Sequence, residues 1–264
     1  MQARSALFDV YGDYLRSRGG SAPVAALVRL LAPLGIAAPA VRQAVSRMVR
    51  QGWLEPLRLP SGPGYGLTPR AVNRLDEAAA RIYRTRRADW DGSWHLLVLA
   101  HVEGRSSRER LHAGLGFLGY ARLNGATWLA PRVSAEVDAL LAAEGVDADR
   151  FCARQVGDPA VLARRAWDLD ALGAAYRDWL DAAQTLVAGD DTPTSDEAVY
   201  AVRSHLVHEW RKFLFQDPGL PRAVLPTEWP GDEAAAYFDS QAVRLLPRAA
   251  AYVDSCLAHP GGAT

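Results

Sequence analysis

Apolar positions in the first quarter of the chain repeat with a helical period in three successive segments. The first two segments cover residues 5–18 and 24–34, and the third lies within residues 38–55, with its helical faces at 41–50. The first is followed by Gly19 and Gly20, and glycine tolerates the left-handed backbone that often ends a helix. From Trp53 to Thr68 the apolar residues alternate around a Ser-Gly-Pro-Gly stretch at 61–64, which is typical of a hairpin. The pattern predicts three helices followed by a two-stranded hairpin.

The third predicted helix has two chemically different faces. At 3.6 residues per turn, one side carries the apolar residues Val41, Val45, Met48 and Val49. The opposite side carries Arg42, Gln43, Ser46, Arg47 and Arg50. Arginine can bind guanine edges or phosphates, glutamine can bind adenine, and serine fits either role. The helix is therefore either a DNA-recognition helix or an ordinary amphipathic surface helix.

Three helices and a hairpin in this order favour the first interpretation, because they predict a winged helix-turn-helix. In that fold the third helix enters the major groove, and the wing lies along the backbone or the minor groove. We expect Arg42, Gln43, Ser46 and Arg47 to contact bases. We expect Arg50, together with Arg58 on the hairpin, to contact phosphates.

The charge of the chain is divided between two opposed parts. The 30 basic and 30 acidic residues cancel overall. Residues 1–90 hold 14 Arg and 6 acidic residues, a net charge of +8, whereas residues 91–264 have a net charge of −8. Basic charge on one module attracts phosphate. Because Lys212 is the only lysine, part of the arginine content reflects genome composition, and a solvated basic surface without a nucleic-acid partner stays open as an alternative.

The middle of the chain alternates strand and helix patterns. Thr68 and Pro69 begin a helix that we expect to run to about Arg87 and to link two modules. After Trp90 the order is β-α-β-β-α-β, with Asn124-Gly125 as a hairpin signal, which predicts a ferredoxin-like domain. Such small sheets have an exposed face or edge and often pair across a two-fold axis. We interpret this domain as a dimerisation unit, with a structural spacer as the alternative.

The remainder of the chain is predicted to be helical. Helices are expected over residues 168–186, from about 192–196 to Phe215, and from Asp232 to about Leu257, where Pro247 should kink or break the last one. The fold class is therefore α+β. The predicted domains are a winged helix-turn-helix at 1–68, a linker helix at 69–90, a ferredoxin-like domain at 91–166 and a helical C-terminal domain at 167–264.

The densest chemical cluster lies at residues 203–213. His205 and His208 are three residues apart and lie on one helix face, so a metal site is conceivable, although no third ligand can be assigned. Structural hydrogen bonds and salt bridges are a second interpretation. The third is binding of an anionic effector with an apolar or flat part, for which the candidates are Arg203, His205, His208, Trp210, Arg211 and Lys212.

Several motifs resemble the PaaX-type repressors of phenylacetate catabolism, and the resemblance covers nearly the whole chain. They are Gly-Asp-Tyr at 12–14, Arg-Gly-Gly at 18–20, and the segments 27–36, 41–48, 52–54, 81–83, 90–94, 205–213 and 217–231. This resemblance implies a winged-helix domain, a central ferredoxin-like domain similar to small CRISPR-associated nucleases, and a helical C-terminal domain. It also implies a dimeric repressor of a catabolic operon that binds a palindromic operator on double-stranded DNA and is released by an acyl-CoA such as phenylacetyl-CoA.

Other classes of protein are less consistent with the sequence. No run of about 18 apolar residues indicates a membrane span, and the N-terminus lacks a signal-peptide core, so we expect a cytoplasmic protein. Cys152 and Cys256 are expected to be small buried residues, and no cofactor or metal motif is assigned. The main rival is a metal-dependent nuclease or hydrolase. We do not expect an enzyme, because the first strand of the central domain ends without the aspartate that a nuclease metal would need. A winged helix that binds protein instead of DNA is a further rival.

Overall fold

A computed structural model describes residues 1–83, 90–188 and 195–258 of the chain. These residues form helices and two antiparallel sheets, so the α+β class is confirmed. The chain divides into two compact units, one made of Met1–Arg86, Trp179–Arg211 and Ala234–Thr264, the other of Arg87–Asp178 and Lys212–Glu233. The stretch predicted as a C-terminal helical domain contributes residues to both units.

Apart from one additional strand, β1 (Ser21–Pro23), the N-terminal elements follow the predicted order. They are α1 (Ala3–Val10), β1 (Ser21–Pro23), α2 (Val24–Leu31), α3 (Ala38–Arg50), β2 (Leu54–Leu59), β3 (Gly62–Leu67) and α4 (Pro69–Ile82). Helix α1 continues as a π-helical segment, Tyr11–Leu15, and a 3₁₀ turn, Arg16–Arg18. Gly19 then adopts φ 82°, the left-handed conformation that ends the helix. The predicted continuation of α4 to Arg87 includes residues 84–89, which lie outside the described residues.

The hairpin is extended by a short strand that the sequence did not predict. Strand β1 pairs antiparallel with β3, giving the order β1-β3-β2. Close approach of the three strands depends on Gly64, where a Cβ atom would lie 2.4 Å from Leu59 Cδ1 and 2.8 Å from the carbonyl oxygen of Ala22. Tyr11 anchors the sheet to the helices by donating its hydroxyl to the carbonyl of Tyr65, at 2.9 Å.

Gly64→Ala is expected to destabilise the protein by about 1–3 kcal/mol, because a methyl group must displace both a side chain and a backbone carbonyl. The free energy of unfolding in urea, followed by circular dichroism, measures the effect. The control is Gly116→Ala in an exposed helical position, where a Cβ meets nothing within 4 Å. That change should be neutral or stabilising by up to about 1 kcal/mol, and equal losses in both variants would contradict the steric explanation.

The second unit contains the alternating elements predicted for the middle of the chain. They are β4 (Ser93–Leu99), α5 (Arg105–Phe117), β5 (Ala121–Asn124), β6 (Thr127–Ala130), α6 (Val137–Glu144), β7 (Ala148–Arg154) and α7 (Pro159–Ala166). The four strands form one antiparallel sheet in the order β5-β6-β4-β7. Side chains of the sheet, α5 and α6 build its core, with Leu97, Leu111, Leu115, Val137 and Leu141 all buried.

Three details of this unit differ from the sequence prediction. Helix α6 begins at Val137 instead of Ser134, because residues 135 and 136 form a turn. Helix α7 was not predicted, although Asp158 caps it by accepting a hydrogen bond from the Ala160 amide at 2.8 Å. The prediction that both cysteines are buried is wrong for Cys152, which is exposed on the edge strand β7, and correct for Cys256.

The C-terminal helices are α8 (Leu169–Ala188), α9 (Asp196–Trp210) and α10 (Pro230–Ala258). Ser195 caps α9 by accepting a hydrogen bond from the Ala198 amide at 3.1 Å, while residues 192–194 of the predicted cap lie outside the described residues. A 3₁₀ turn over Arg211–Phe215 follows α9.

Helix α10 continues through Pro247, so the predicted break is wrong, whereas a kink at this position stays a prediction. Proline leaves the carbonyl of Val243 without its intrahelical donor. Because Pro247 and Val243 are exposed, water can take the place of that donor. Among the described residues, no helix is long and apolar enough to cross a membrane.

Candidate nucleic-acid interface

Helix α3 lies within the segment that the sequence pattern predicts as helical. Its N-cap residue Ala37 is extended, and Pro39 occupies the first turn, where a missing amide hydrogen costs nothing. At the other end Gly52 has φ 70°, and the amide of Trp53 donates to the carbonyl of Met48 at 2.9 Å. The chain then enters β2 directly. The helix is therefore fixed at both ends.

The two faces of α3 are divided as predicted. Its buried residues are Val41, Ala44, Val45 and Met48, while Val49 is half-buried. The predicted DNA contacts Arg42, Gln43, Ser46, Arg47 and Arg50 are all exposed. The burial matches the prediction, whereas contact of these side chains with DNA stays a prediction.

The hairpin adds a further exposed cation. Arg58 lies on β2, near the turn, opposite Pro63 of β3, and its side chain is exposed. Within the described parts of the chain, no carboxylate forms an ion pair with Arg42, Arg47, Arg50 or Arg58. Their positive charge is thus available to an external anion.

A buried polar cluster joins the π-helical segment that continues α1 to helix α9. Arg203 is 2% exposed, and its guanidinium forms an ion pair with Asp13. The same guanidinium donates to the Tyr14 hydroxyl at 3.0 Å and to the carbonyl of Ala242 on α10 at 2.9 Å. Tyr83, at the end of α4, donates its hydroxyl to Asp13. One arginine of α9 therefore contacts the N-terminal helix and the last helix together.

The electrostatics of this cluster keep Arg203 charged. Burial alone would lower the pKa of Arg203, but Asp13 and the neighbouring tyrosine hydroxyls outweigh it and raise this pKa above its ordinary value. Burial also raises the pKa of Tyr14 to about 12, although Arg203 acts in the opposite direction. At neutral pH the cluster thus holds one cation and neutral tyrosines beside the Asp13 carboxyl.

A second polar cluster lies one turn earlier along α1. Asp9 is 5% exposed and accepts from His208 Nδ1 at 2.7 Å. Arg211 forms an ion pair with the other oxygen of Asp9. Trp210 completes the attachment of α9, because its indole nitrogen donates to the carbonyl of Ile82 at 3.2 Å. Two carboxylates on the N-terminal helix thus bind three cationic or imidazole groups of one later segment.

The six residues predicted to bind an effector are therefore used in different ways. Arg203 and Trp210 are buried, His205, His208 and Arg211 are half-buried, and Lys212 is exposed. Three of them contact Asp9 or Asp13, which favours the structural interpretation of those three side chains. Burial lowers the pKa of His205, which favours its neutral form. No group of three potential metal ligands occurs among the described residues. The effector role of this cluster stays a prediction.

Sequence reasoning missed Asp9 and Asp13 as interacting residues. Their partners lie 199 and 190 residues further along the chain, so no local spacing could have paired them. The available signal was the presence of two acids on the apolar side of a helical pattern, since a buried carboxylate requires a partner.

Comparison with known proteins decides which family the chain represents. Three family models match in succession: the PaaX-like protein model at residues 2–71, the PaaX protein central Cas2-like domain at 87–160, and the PaaX-like protein C-terminal domain at 167–255. The chain is also 30% identical over 264 residues to the transcriptional repressor PaaX of Escherichia coli (strain K12), covering 94% of this chain and 82% of that protein. The chain belongs to the PaaX family. The family predicted from the sequence motifs is thereby confirmed.

A solved structure resembles this PaaX family member. The uncharacterized protein Rv0674 from Mycobacterium tuberculosis matches it with a TM-score of 0.61 and 27% sequence identity. The match covers 95% of this chain and 98% of that one. The fold of this PaaX family member is therefore similar to one that has been solved.

Proposed function

We propose that the protein is a DNA-binding transcriptional repressor. The observation that carries the proposal is the exposed face of α3, which presents three arginines, a glutamine and a serine, while the opposite face of the helix is apolar and packed in the core. The family supports it, because the similar Escherichia coli protein is a transcriptional repressor. A regulator of this kind performs no chemistry, so the protein is proposed not to be an enzyme.

The domain layout proposed from the sequence gives each segment one role. Residues 1–68 form the winged helix-turn-helix, in which α3 is the recognition helix and the β2–β3 hairpin is the wing. Residues 69–90 link it to a ferredoxin-like domain at 91–166, which pairs two copies. Residues 167–264 form the helical part with a regulatory role. The order β1-β3-β2 around three helices supports the first assignment.

The proposed contacts with DNA follow from side-chain chemistry. Arg42, Gln43, Ser46 and Arg47 lie in the major groove and contact base edges, since arginine suits guanine and glutamine suits adenine. Arg50 and Arg58 bind phosphates. In a two-fold dimer, two copies of α3 would meet half-sites about 34 Å apart, which implies a palindromic operator.

Release from DNA is proposed to depend on an acyl-CoA, as the family resemblance implies, with phenylacetyl-CoA as the first compound to test. The clusters at Asp9 and Asp13 supply a route for coupling, because they join α9 to the same N-terminal helix that packs against α3. A ligand anion that bound Arg203 would have to displace Asp13. The ligand shifts the DNA-binding equilibrium only by its difference in affinity for the two states.

A fluorescence anisotropy titration tests the proposal. The full-length protein is titrated with the DNA upstream of its own gene and with a shuffled fragment, at two salt concentrations. We expect at least about 1,000-fold tighter binding to the upstream fragment. Addition of phenylacetyl-CoA or another acyl-CoA should weaken binding to the upstream fragment. Equal affinity for both fragments would overturn the proposal of a repressor. An affinity for the upstream fragment that no acyl-CoA of a panel changes would overturn only the proposal of an acyl-CoA effector.

A further inference from the structure

Strand β7 in the second unit departs from the usual burial of a sheet strand. Side chains of a strand alternate between two faces, so at least every second residue of a packed strand is normally covered. Here all six residues from Asp149 to Arg154 are exposed, and Ala148 is half-buried. Phe151, in the middle, is 54% exposed. Both faces of this strand therefore meet solvent in the single chain.

The outer edge of β7 is also without a neighbouring strand. In the order β5-β6-β4-β7 this strand is terminal, and β4 is its one partner in the described part of the chain. A seven-residue edge presents unpaired backbone donors and acceptors, which is a template for pairing with another strand. Soluble proteins commonly protect such an edge with charged side chains, proline or a bulge. Strand β7 carries the charged residues Asp149, Arg150 and Arg154, but it contains no proline and its central position is aromatic.

We propose that β7 pairs antiparallel with β7 of a second copy of this chain, across a two-fold axis that passes through Phe151. This interface specifies how the central domain of the proposed dimeric repressor pairs, and in that respect it rests on the proposed function. The sheets of the two copies then join into one continuous eight-stranded sheet. Every backbone group on the outer edge of β7 gains a partner.

The position of the axis follows from the length and charge of the strand. Ala148–Arg154 is centred on Phe151, so this register pairs the whole strand without overhang. Arg150 then lies opposite Cys152 of the second copy, and Asp149 lies opposite Ala153. No like charges are directly opposed, and like charges in that position would be destabilising.

The neighbouring registers that keep the same two-fold symmetry are less favourable. An axis through Arg150 places the Arg150 side chains of the two copies directly opposite each other. An axis through Cys152 places Arg150 against Arg154 of the second copy, twice in each dimer. Self-complementarity is therefore specific to the register centred on Phe151.

The apolar contact across the axis comes from one face of the sheet. Within the chain Phe151 lies opposite Leu96 of β4, which is half-buried. Two Phe151 rings would meet at the axis, and each would be flanked by a Leu96 side chain. Directly opposed residues have Cβ atoms about 4.5–5.5 Å apart, and aromatic pairs at that spacing stabilise a sheet. The partner that fits this patch is strand β7 of a second copy of the chain.

Disulfide trapping tests the register. Phe151→Cys combined with Cys152→Ser places two thiols directly opposite each other, within disulfide reach. Mild oxidation should convert most of the full-length variant to a covalent dimer. The wild-type chain should stay uncrosslinked, because its Cys152 residues would be diagonal neighbours, about 7–8 Å apart. Trapping of wild-type Cys152 without trapping of the cysteine at 151 would overturn the register.

A charge substitution tests the interface itself. Phe151→Glu would oppose two carboxylates on the axis, and we expect the dimer dissociation constant in sedimentation equilibrium to rise at least tenfold. The control is Val161→Glu on α7, a residue with the same exposed fraction of 54% in the same unit. It should leave the dissociation constant unchanged.

The outcomes separate this proposal from the proposed function. A wild-type dimer that survives Phe151→Glu and is not trapped by the cysteine at 151 overturns the β7 interface, while operator binding can still hold. A protein that is trapped at 151 but does not distinguish operator from shuffled DNA retains the interface and loses the repressor function. A wild-type protein that is monomeric at all concentrations overturns the interface.

Discussion

Replacing Arg42 and Arg47 together by alanine is expected to weaken operator binding by at least about 30-fold, with little change in the affinity for shuffled DNA. A bidentate contact between arginine and a base is worth about 1–3 kcal/mol of discrimination, so two such contacts give at least about 2 kcal/mol. Both side chains are exposed on α3, so their loss removes no core packing. Anisotropy titration with operator and shuffled fragments measures the two affinities.

Two arginine variants serve as controls for this loss. Arg105→Ala removes an exposed arginine of α5 that pairs with Glu109, and it should leave operator affinity unchanged. Arg58→Ala should weaken binding to both fragments alike. It should also reduce the slope of log affinity against log salt concentration by about one, as expected for a phosphate contact. An operator affinity that is insensitive to the double substitution would show that α3 is not the recognition helix.

Replacing Arg203 by methionine is expected to lower the free energy of unfolding by about 3–5 kcal/mol, because it leaves the carboxylate of Asp13 buried without its cation. Methionine keeps much of the side-chain volume, so the loss reports the charge more than a cavity. Arg203 also donates to the carbonyl of Ala242 in α10, so its replacement removes a contact with α10 as well as the ion pair with Asp13. Urea unfolding followed by circular dichroism gives the free energy.

A double-mutant cycle separates the ion pair from general damage. Asp13→Asn alone should destabilise the protein by a similar amount, since it leaves Arg203 buried without a carboxylate. The variant with both changes should be more stable than the sum of the two losses predicts, because neither charge then remains unpaired. The exposed pair Arg105 and Glu109 is the comparison, and its removal should cost less than about 1 kcal/mol. Strict additivity at Asp13 and Arg203 would contradict a direct ion pair.

The parts of the molecule that sequence reasoning predicted are those with a local pattern. Helix α3 was predicted from apolar and polar positions that separate onto two faces at 3.6 residues per turn, and the structure exposes the polar face and covers the apolar one, with Val49 half-buried. The β2–β3 hairpin followed from glycines between two apolar runs. Pro69 and Thr68 fixed the start of α4, where the Thr68 hydroxyl accepts from the Ala71 amide at 3.3 Å.

The parts that were missed depend on neighbours distant in sequence. Strand β1 is three residues long and contains Pro23, so it has no period of its own and exists because β3 pairs with it. Cys152 was expected to be buried because it lies in an apolar-rich pattern, but β7 is an edge strand that pairs with β4 alone among the described residues. The roles of Asp9 and Asp13 likewise depend on α9, which no local spacing connects to them.

Pairing across the length of the chain also sets an order of events during synthesis. The N-terminal helix leaves the ribosome early, yet Arg203 follows Asp13 by 190 residues. At a translation rate of about 5–20 residues per second, Arg203 is synthesised about 10–40 s after Asp13. Until then two acidic groups stand on the apolar side of a helix that is not yet covered. The N-terminal segment that is proposed to bind DNA thus reaches its final packing only after helices α9 and α10 have been made. On the proposed function, DNA binding would then require completion of the part of the chain that is proposed to release it.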